Sequence, residues 1–301
     1  MVRMLLLEFE DTLVGRSGEV VRGAPETFST LQKFVLDDGE SLPLCLLSWS
    51  GARWKAQGKS ASEALASQLA ELELRTFFEP FEKRVTIGFV PNAQGIDRAL
   101  LAESLARSGA GAQAEDSVVV CGAEADARVA EEVGMHTFRY SIESGSGVRF
   151  ADWAELPLLV ATLFRAAREK NRAAALHFYL SERKGLDTTS LQPSGDGGIW
   201  EGTANAWQPI STGRFVAFDG VHVKLPVRIT LRLDSLGRIE RLEQTEPPSE
   251  DRDEARNFVE SLAQHGQIAT ESGAGSKNAT HAVRVDDEGK RYLVRRGFSA
   301  V

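Results

Sequence analysis

The sequence predicts an α/β fold, a parallel sheet with helices on both faces, followed by a smaller α+β unit built on an antiparallel sheet. Three observations predict this. Over residues 1–140, short apolar runs alternate with stretches of helical spacing, the rhythm of βαβ units. The runs "LCLL" (44–47) and "SVVVC" (117–121) are apolar on both faces, which suits parallel strands covered from each side. After about residue 150 the period shifts towards two. In "VRITLRL" (227–233), for example, apolar residues alternate with Arg and Thr, as in a half-buried strand.

Taken in order, Met4–Leu7 is the first buried strand. Gly23-Ala24-Pro25-Glu26 opens a helix, with Pro25 in the first turn where its missing N–H costs nothing. That helix carries Phe28, Leu31, Phe34 and Val35 at helical spacing. Leu42–Leu47 is the second strand, ending at Ser48-Trp49-Ser50. A helix over Ser60–Leu74, a third strand at Val85–Val90 and a helix over Ile96–Ser108 follow. Ser117–Cys121 is the fourth strand, Ala125–Val133 a helix stopped by Gly134, and Thr137–Tyr140 a short fifth strand. The domain boundary is expected near residue 150, giving units 1–150 and 151–301. In the second, Leu156–Arg183 reads as one long helix or two in succession. The Gly, Ser and Pro of 185–198 read as a loop. Strands are expected at 215–218, 222–225, 227–233 and 238–244, with a hairpin turn at Gly237. An acidic first turn opens a helix over 249–264, and "HAVRV" and "RYLVRR" pair around Asp287-Glu288-Gly289.

Composition bounds the function. The 301 residues carry a net charge of −8, with 42% hydrophobic and 26% charged residues, a globular balance. The acidic charge argues against non-specific binding to nucleic acid or anionic membranes. No run approaches the roughly 20 apolar residues of a membrane span, and the apolar run Met4–Leu7 is too short for a secretory leader. The expectation is a soluble, intracellular protein, in the cytoplasm or an organelle lumen. Cys45 and Cys121 each sit in an apolar run without metal-like spacing, and read as buried thiols. The five histidines have no ligand spacing either.

Four stretches of the first half stand in a telling order: "LLLEFEDTL" (5–13), "VVRGAPETFSTLQ" (20–32), "LCLLSWS" (44–50) and "VVVCGAEADARVAEEVGMHTF" (118–138). Over about residues 3–140 the chain resembles the haloacid-dehalogenase-like (HAD) phosphohydrolase superfamily, with a Rossmannoid parallel sheet. That family's first motif is a strand followed by Asp-x-Asp-Gly-Thr-Leu. Here Glu8, Glu10 and Asp11 stand in the places of Asp, Asp and Gly. The resemblance puts Ser48 at the second motif's key position, where it would grip a phosphoryl oxygen. The third motif is a lysine. One register supplies Lys83, and another puts Val90-Pro91 where many members have Lys-Pro. In the fourth motif Asp126 takes the second acidic position and Gly122 the first, with Glu124 close by. The resemblance implies Glu8 as nucleophile and magnesium ligand, Glu10 as acid/base, and Glu8, Glu124 and Asp126 as the residues to hold a magnesium ion if the site works. The short intervals after the first and second motifs leave no room for a large cap domain.

The substitutions bear on the chemistry. Glu8 carries its carboxylate one methylene farther out, roughly 1 Å or more, and a misplacement of ~1 Å can cost about 10²-fold in a positioned reaction. Magnesium tolerates misplaced ligands poorly. Asp11 adds negative charge beside the phosphate position. The expectation is therefore a catalytically impaired HAD-like module with no cofactor, acting as an interaction or assembly component whose partner is another protein. The alternative is a capless magnesium-dependent phosphomonoester hydrolase. A third reading puts the function in the C-terminal unit, holding a small ligand or a partner.

Overall fold

The computed structural model describes residues 2–15, 18–58, 60–89, 95–108, 112–143, 145–195, 198–269 and 279–296. The chain divides into two compact units, Met1–Tyr179 with Leu236–Arg238, and Leu180–Ser235 with Ile239–Val301. No helix among the described residues is long and apolar enough to cross a membrane.

The first unit runs β1 (Met4–Glu8), α1 (Ala24–Leu31), β2 (Leu44–Ser48), α2 (Gly51–Ala56), α3 (Ala61–Glu71), α4 (Phe81–Arg84), β3 (Val85–Ile87), α5 (Arg98–Arg107), β4 (Ser117–Cys121), α6 (Glu124–Glu132), β5 (His136–Tyr140), β6 (Val148–Phe150) and α7 (Leu156–Ala161). Its strands pair in the order β3-β2-β1-β4-β5-β6, every pair parallel. β1, β2 and β4 are buried along their whole length, as strands covered on both faces must be. On one face Met4, Leu6, Leu47 and Val119 pack with Leu100, Leu101, Ala127 and Ala130 from α5 and α6. Phe28 of α1, Phe150 and Trp153 form an aromatic cluster, with Trp153 centred 5.7 Å from Phe28 and 5.5 Å from Phe150.

That cluster explains why the contact boundary falls at Tyr179 and not near residue 150. Thr27 Oγ1 donates to the Trp153 carbonyl at 2.9 Å. Asn171 pairs both ways with the Val35 backbone, at 3.0 and 2.8 Å. The Asp37 carboxylate accepts from the N–H groups of Arg165 and Ala167. Residues 151–179 are thus tied to the first sheet. Of the two readings of 156–183, two helices in succession is the one found: α7, then α8 (Arg168–Lys184), which continues into the second unit.

The second unit holds β7 (Asp187–Ser194), β8 (Ile199–Ile210), β9 (Val221–Leu233), β10 (Ile239–Gln244), α9 (Ser249–Gln264), β11 (Ile268–Ala269), β12 (His281–Val285) and β13 (Arg291–Arg295). Its sheet is mixed and not purely antiparallel, in the order β11-β12-β13-β9-β8-β7 with β10 also on β9. Both expected hairpins form, but β13 meets β9 in parallel, at Tyr292 opposite His222. The expected loop at 185–198 is mostly strand: β7 pairs with β8 from Asp187 to Ser194. Its Pro193 is tolerated because β7 is the sheet edge. The expected strands at 222–225 and 227–233 are one, β9, carried through Pro226 by its pairing with β8. Residues 216–218 form a 3₁₀ turn and not a strand. α9 lays Val259 and Leu262 on Val221, Val283 and Leu293.

Candidate functional site

β1 lies at the centre of the parallel sheet. The chain builds outward from it to β2 and β3, then returns on its other side at β4. Carboxyl ends of strands at such a reversal form the crevice where open α/β sheets bind ligands. Glu8 ends β1, Ser48 ends β2, and Gly122 follows β4. The parallel register therefore brings three of the sequence-selected positions to one edge.

Glu8 is 1% exposed, and protein donors meet its carboxyl from three directions. Thr12 Oγ1 donates to Oε2 at 2.6 Å, the Gly122 N–H to Oε2 at 3.1 Å and the Trp49 indole N–H to Oε1 at 3.2 Å. Burial holds its pKa well above the ordinary carboxyl range, and the neighbouring Asp126 charge pushes it further up. Asp126, 4% exposed, accepts the Ile96 N–H at 2.7 Å and is raised chiefly by its own burial. Each carboxyl bears on the other: the Asp126 charge raises Glu8, and Glu8 in turn lowers Asp126.

Glu10 turns the other way. Ser48 Oγ donates to its Oε1 at 2.6 Å, and the N–H groups of Ser50 and Trp49 donate to Oε1 and Oε2 at 3.2 and 3.1 Å. Burial raises its pKa as well. The hydroxyl and the two N–H groups that close the end of β2 are thus occupied by a side chain of the same crevice.

The loop after β1 fixes this closure. Asp11 sits in the left-handed region at φ +58°, a conformation that Asp tolerates better than most residues. The turn carries the Asp11 carbonyl onto Gly122. A Cβ at 122 would lie 2.7 Å from that oxygen and 3.1 Å from Thr12 Oγ1. The position that the resemblance assigns to an acidic ligand therefore has no room for any side chain. Gly122→Ala is expected to destabilise the chain by about 1–3 kcal/mol through overpacking, read as a lower urea midpoint; an unchanged midpoint would show that the loop yields freely.

Two selected residues stay outside. Lys83 is exposed on α4, ahead of β3. With Val85 level with Leu46 and Ile87 level with Ser48, Lys83 lies roughly 10 Å back from Ser48, towards the amino end of the sheet. Glu124 opens α6 but points to cations: it pairs with Arg128 one turn on and lies 3.8 Å from Arg139 Nη1. The alternative lysine register, Val90-Pro91, lies outside the described residues. The residues that sequence reasoning missed are Thr12, Trp49 and Ser50. All three sit inside the stretches that drew attention, but only the fold makes them partners of Glu8 and Glu10.

The donor set does not fit magnesium. Both oxygens of Glu8 accept protein donors, Asp126 holds the Ile96 N–H, and Glu124 is turned to arginines. Among the described residues no group of three or more His, Cys, Asp or Glu is placed to hold a metal. Comparison with protein-family models, with curated proteins and with solved structures finds no match for the chain.

Proposed function

We propose that the first unit is a HAD-like module that has lost phosphoryl-transfer chemistry and serves as a protein-interaction or assembly component. The observation that carries this reading is the self-occupancy of the crevice. Ser48, the residue that would grip a phosphoryl oxygen, is hydrogen-bonded to Glu10 at 2.6 Å. Glu8, the residue in the nucleophile's place, has its pKa raised by burial and is bonded on both oxygens. A carboxylic acid that keeps its proton is a poor nucleophile. A phosphoryl dianion entering here would displace Glu10 and face the charges of Asp11 and Asp126. With Lys83 at the other edge of the sheet, no lysine of the described crevice offsets that repulsion. What such a unit offers is surface and rigidity, not a reacting group.

Hydrolysis of p-nitrophenyl phosphate in the presence of magnesium tests the reading. The expected result is no turnover above the buffer rate, in the native chain and in Glu8→Ala alike. Magnesium-dependent turnover that Glu8→Ala abolishes and Glu8→Asp raises would overturn it in favour of the capless hydrolase.

A further inference from the structure

Beside the closed crevice, and still within the first unit, lies an open cleft of about 460 Å³. Its size falls within the range of small-ligand sites. Its lining includes Phe9, Trp49 and Trp54, the acidic residues Glu10 and Asp11, and Gln68. No Lys, Arg or His belongs to its described lining.

We propose that this cleft binds an organic cation, an alkylammonium group seated against the indoles of Trp49 and Trp54 with Asp11 as its counter-charge. Aromatic faces attract ammonium groups through their quadrupole, most strongly when the ring is Trp. Trp49 is held ready for that task, because its indole N–H is fixed to Glu8 at 3.2 Å and its ring packs on the sheet core. Trp54 stands half-buried on α2, one turn past Ser50, whose carbonyl accepts its backbone N–H at 3.2 Å. Asp11 is exposed at the cleft, and among the described residues no hydrogen bond or ion pair engages its carboxylate. The proposal stands on the cleft alone and is independent of the loss of phosphoryl transfer.

The test is calorimetry on the full chain with choline and with 3,3-dimethyl-1-butanol, which has the same shape and no charge. Choline is expected to bind and the neutral alcohol to bind at least about tenfold more weakly, a difference that cation–π and ionic attraction together supply. Asp11→Asn is expected to weaken choline about fivefold, as a partly solvated charge pair does, and Trp54→Leu to weaken it by a similar factor. Equal binding of choline and the alcohol, binding of neither, or an Asp11→Asn variant with native affinity would each overturn the proposal. A second pair of ligands separates two sources of the same chemistry. N-acetyl-lysinamide binding more tightly than n-butylamine assigns the site to a lysine side chain of a protein, and the reverse order assigns it to a free amine.

Discussion

Replacing Trp153 with alanine is expected to destabilise the first unit by about 3–5 kcal/mol, the range for deleting a buried large aromatic residue. Trp153 is 1% exposed. Its ring lies 5.7 Å from Phe28, 5.5 Å from Tyr140 and 5.5 Å from Phe150. It therefore joins α1 to the outer strands β5 and β6, and its removal opens a cavity that three rings cannot close together. Trp153→Phe is the control. Among the described residues the indole N–H has no hydrogen-bond partner, so phenylalanine loses packing without orphaning a polar group, and its cost is expected to be clearly smaller. Urea unfolding followed by circular dichroism measures both. An alanine variant within about 1 kcal/mol of the native chain would contradict the role given to the cluster, since buried aromatic truncations rarely cost so little. The same cluster makes a chain ended at residue 150 a poor folding unit, because Phe28 and Phe150 then face water.

That result bears on what the sequence could tell. β1, β2 and β4 were legible because a strand buried on both faces is written as an apolar run, and α1 because Pro25 opens it. β6 was not legible. "VRF" (148–150) is three residues long, and it is a strand only because β5 lies beside it. β7 was hidden by its own Pro193 and by the glycines that flank it; Pro marks turns in general and is admissible on a sheet edge in particular. The parallel meeting of β13 and β9 had no local signature at all, since each hairpin is complete in itself and only tertiary packing sets how they join. The boundary near residue 150 followed a true change of periodicity, but periodicity reports local structure. Trp153, Arg165, Ala167 and Asn171 belong with the first sheet through contacts more than 120 residues apart in sequence.

The candidate site divides along the same line. Glu8, Glu10 and Ser48 meet because parallel strands deliver their carboxyl ends to one edge, and the strand pattern is enough to foresee it. Asp126 joins them from the first turn of α6 for the same reason. Lys83 fails because a residue just before a parallel strand lies at its amino end, a geometric exclusion available once β3 is placed. The rest was illegible because it depends on ångström distances. Nothing in "CGAEAD" says that the Asp11 carbonyl leaves no space at Gly122, or that Glu124 turns to Arg128 and Arg139.

Glu8→Ala is expected to cost at least about 3 kcal/mol, because it orphans the Thr12 hydroxyl, the Gly122 N–H and the Trp49 indole N–H in a buried place, and each such loss runs to about 1–3 kcal/mol. Glu8→Gln separates that structural loss from the charge. The acid's pKa is raised on folding from an ordinary value near 4.5, so the folded chain holds a proton that the unfolded chain releases. Stability then falls as pH rises, because the unfolded state binds fewer protons. The contribution is whole below about 4.5, the ordinary Glu value, and is eroded as pH climbs from there towards the raised value of the folded state. Glutamine has no proton to lose. At low pH the variant is expected to be the less stable of the two, since its amide cannot accept the Trp49 N–H that the acid accepts. As pH rises the native chain loses stability faster, so the gap narrows and, where the raised pKa is high enough, reverses. Glu10 and Asp126 carry raised values of their own in the native chain, and Asp126 senses the exchange directly, so the informative quantity is the difference between the two unfolding curves at each pH. Parallel curves from pH 5 to 8 would mean that Glu8 is ionised in the folded chain. The crevice would then hold a true carboxylate, and the central objection to a reacting group at the end of β1 would fall.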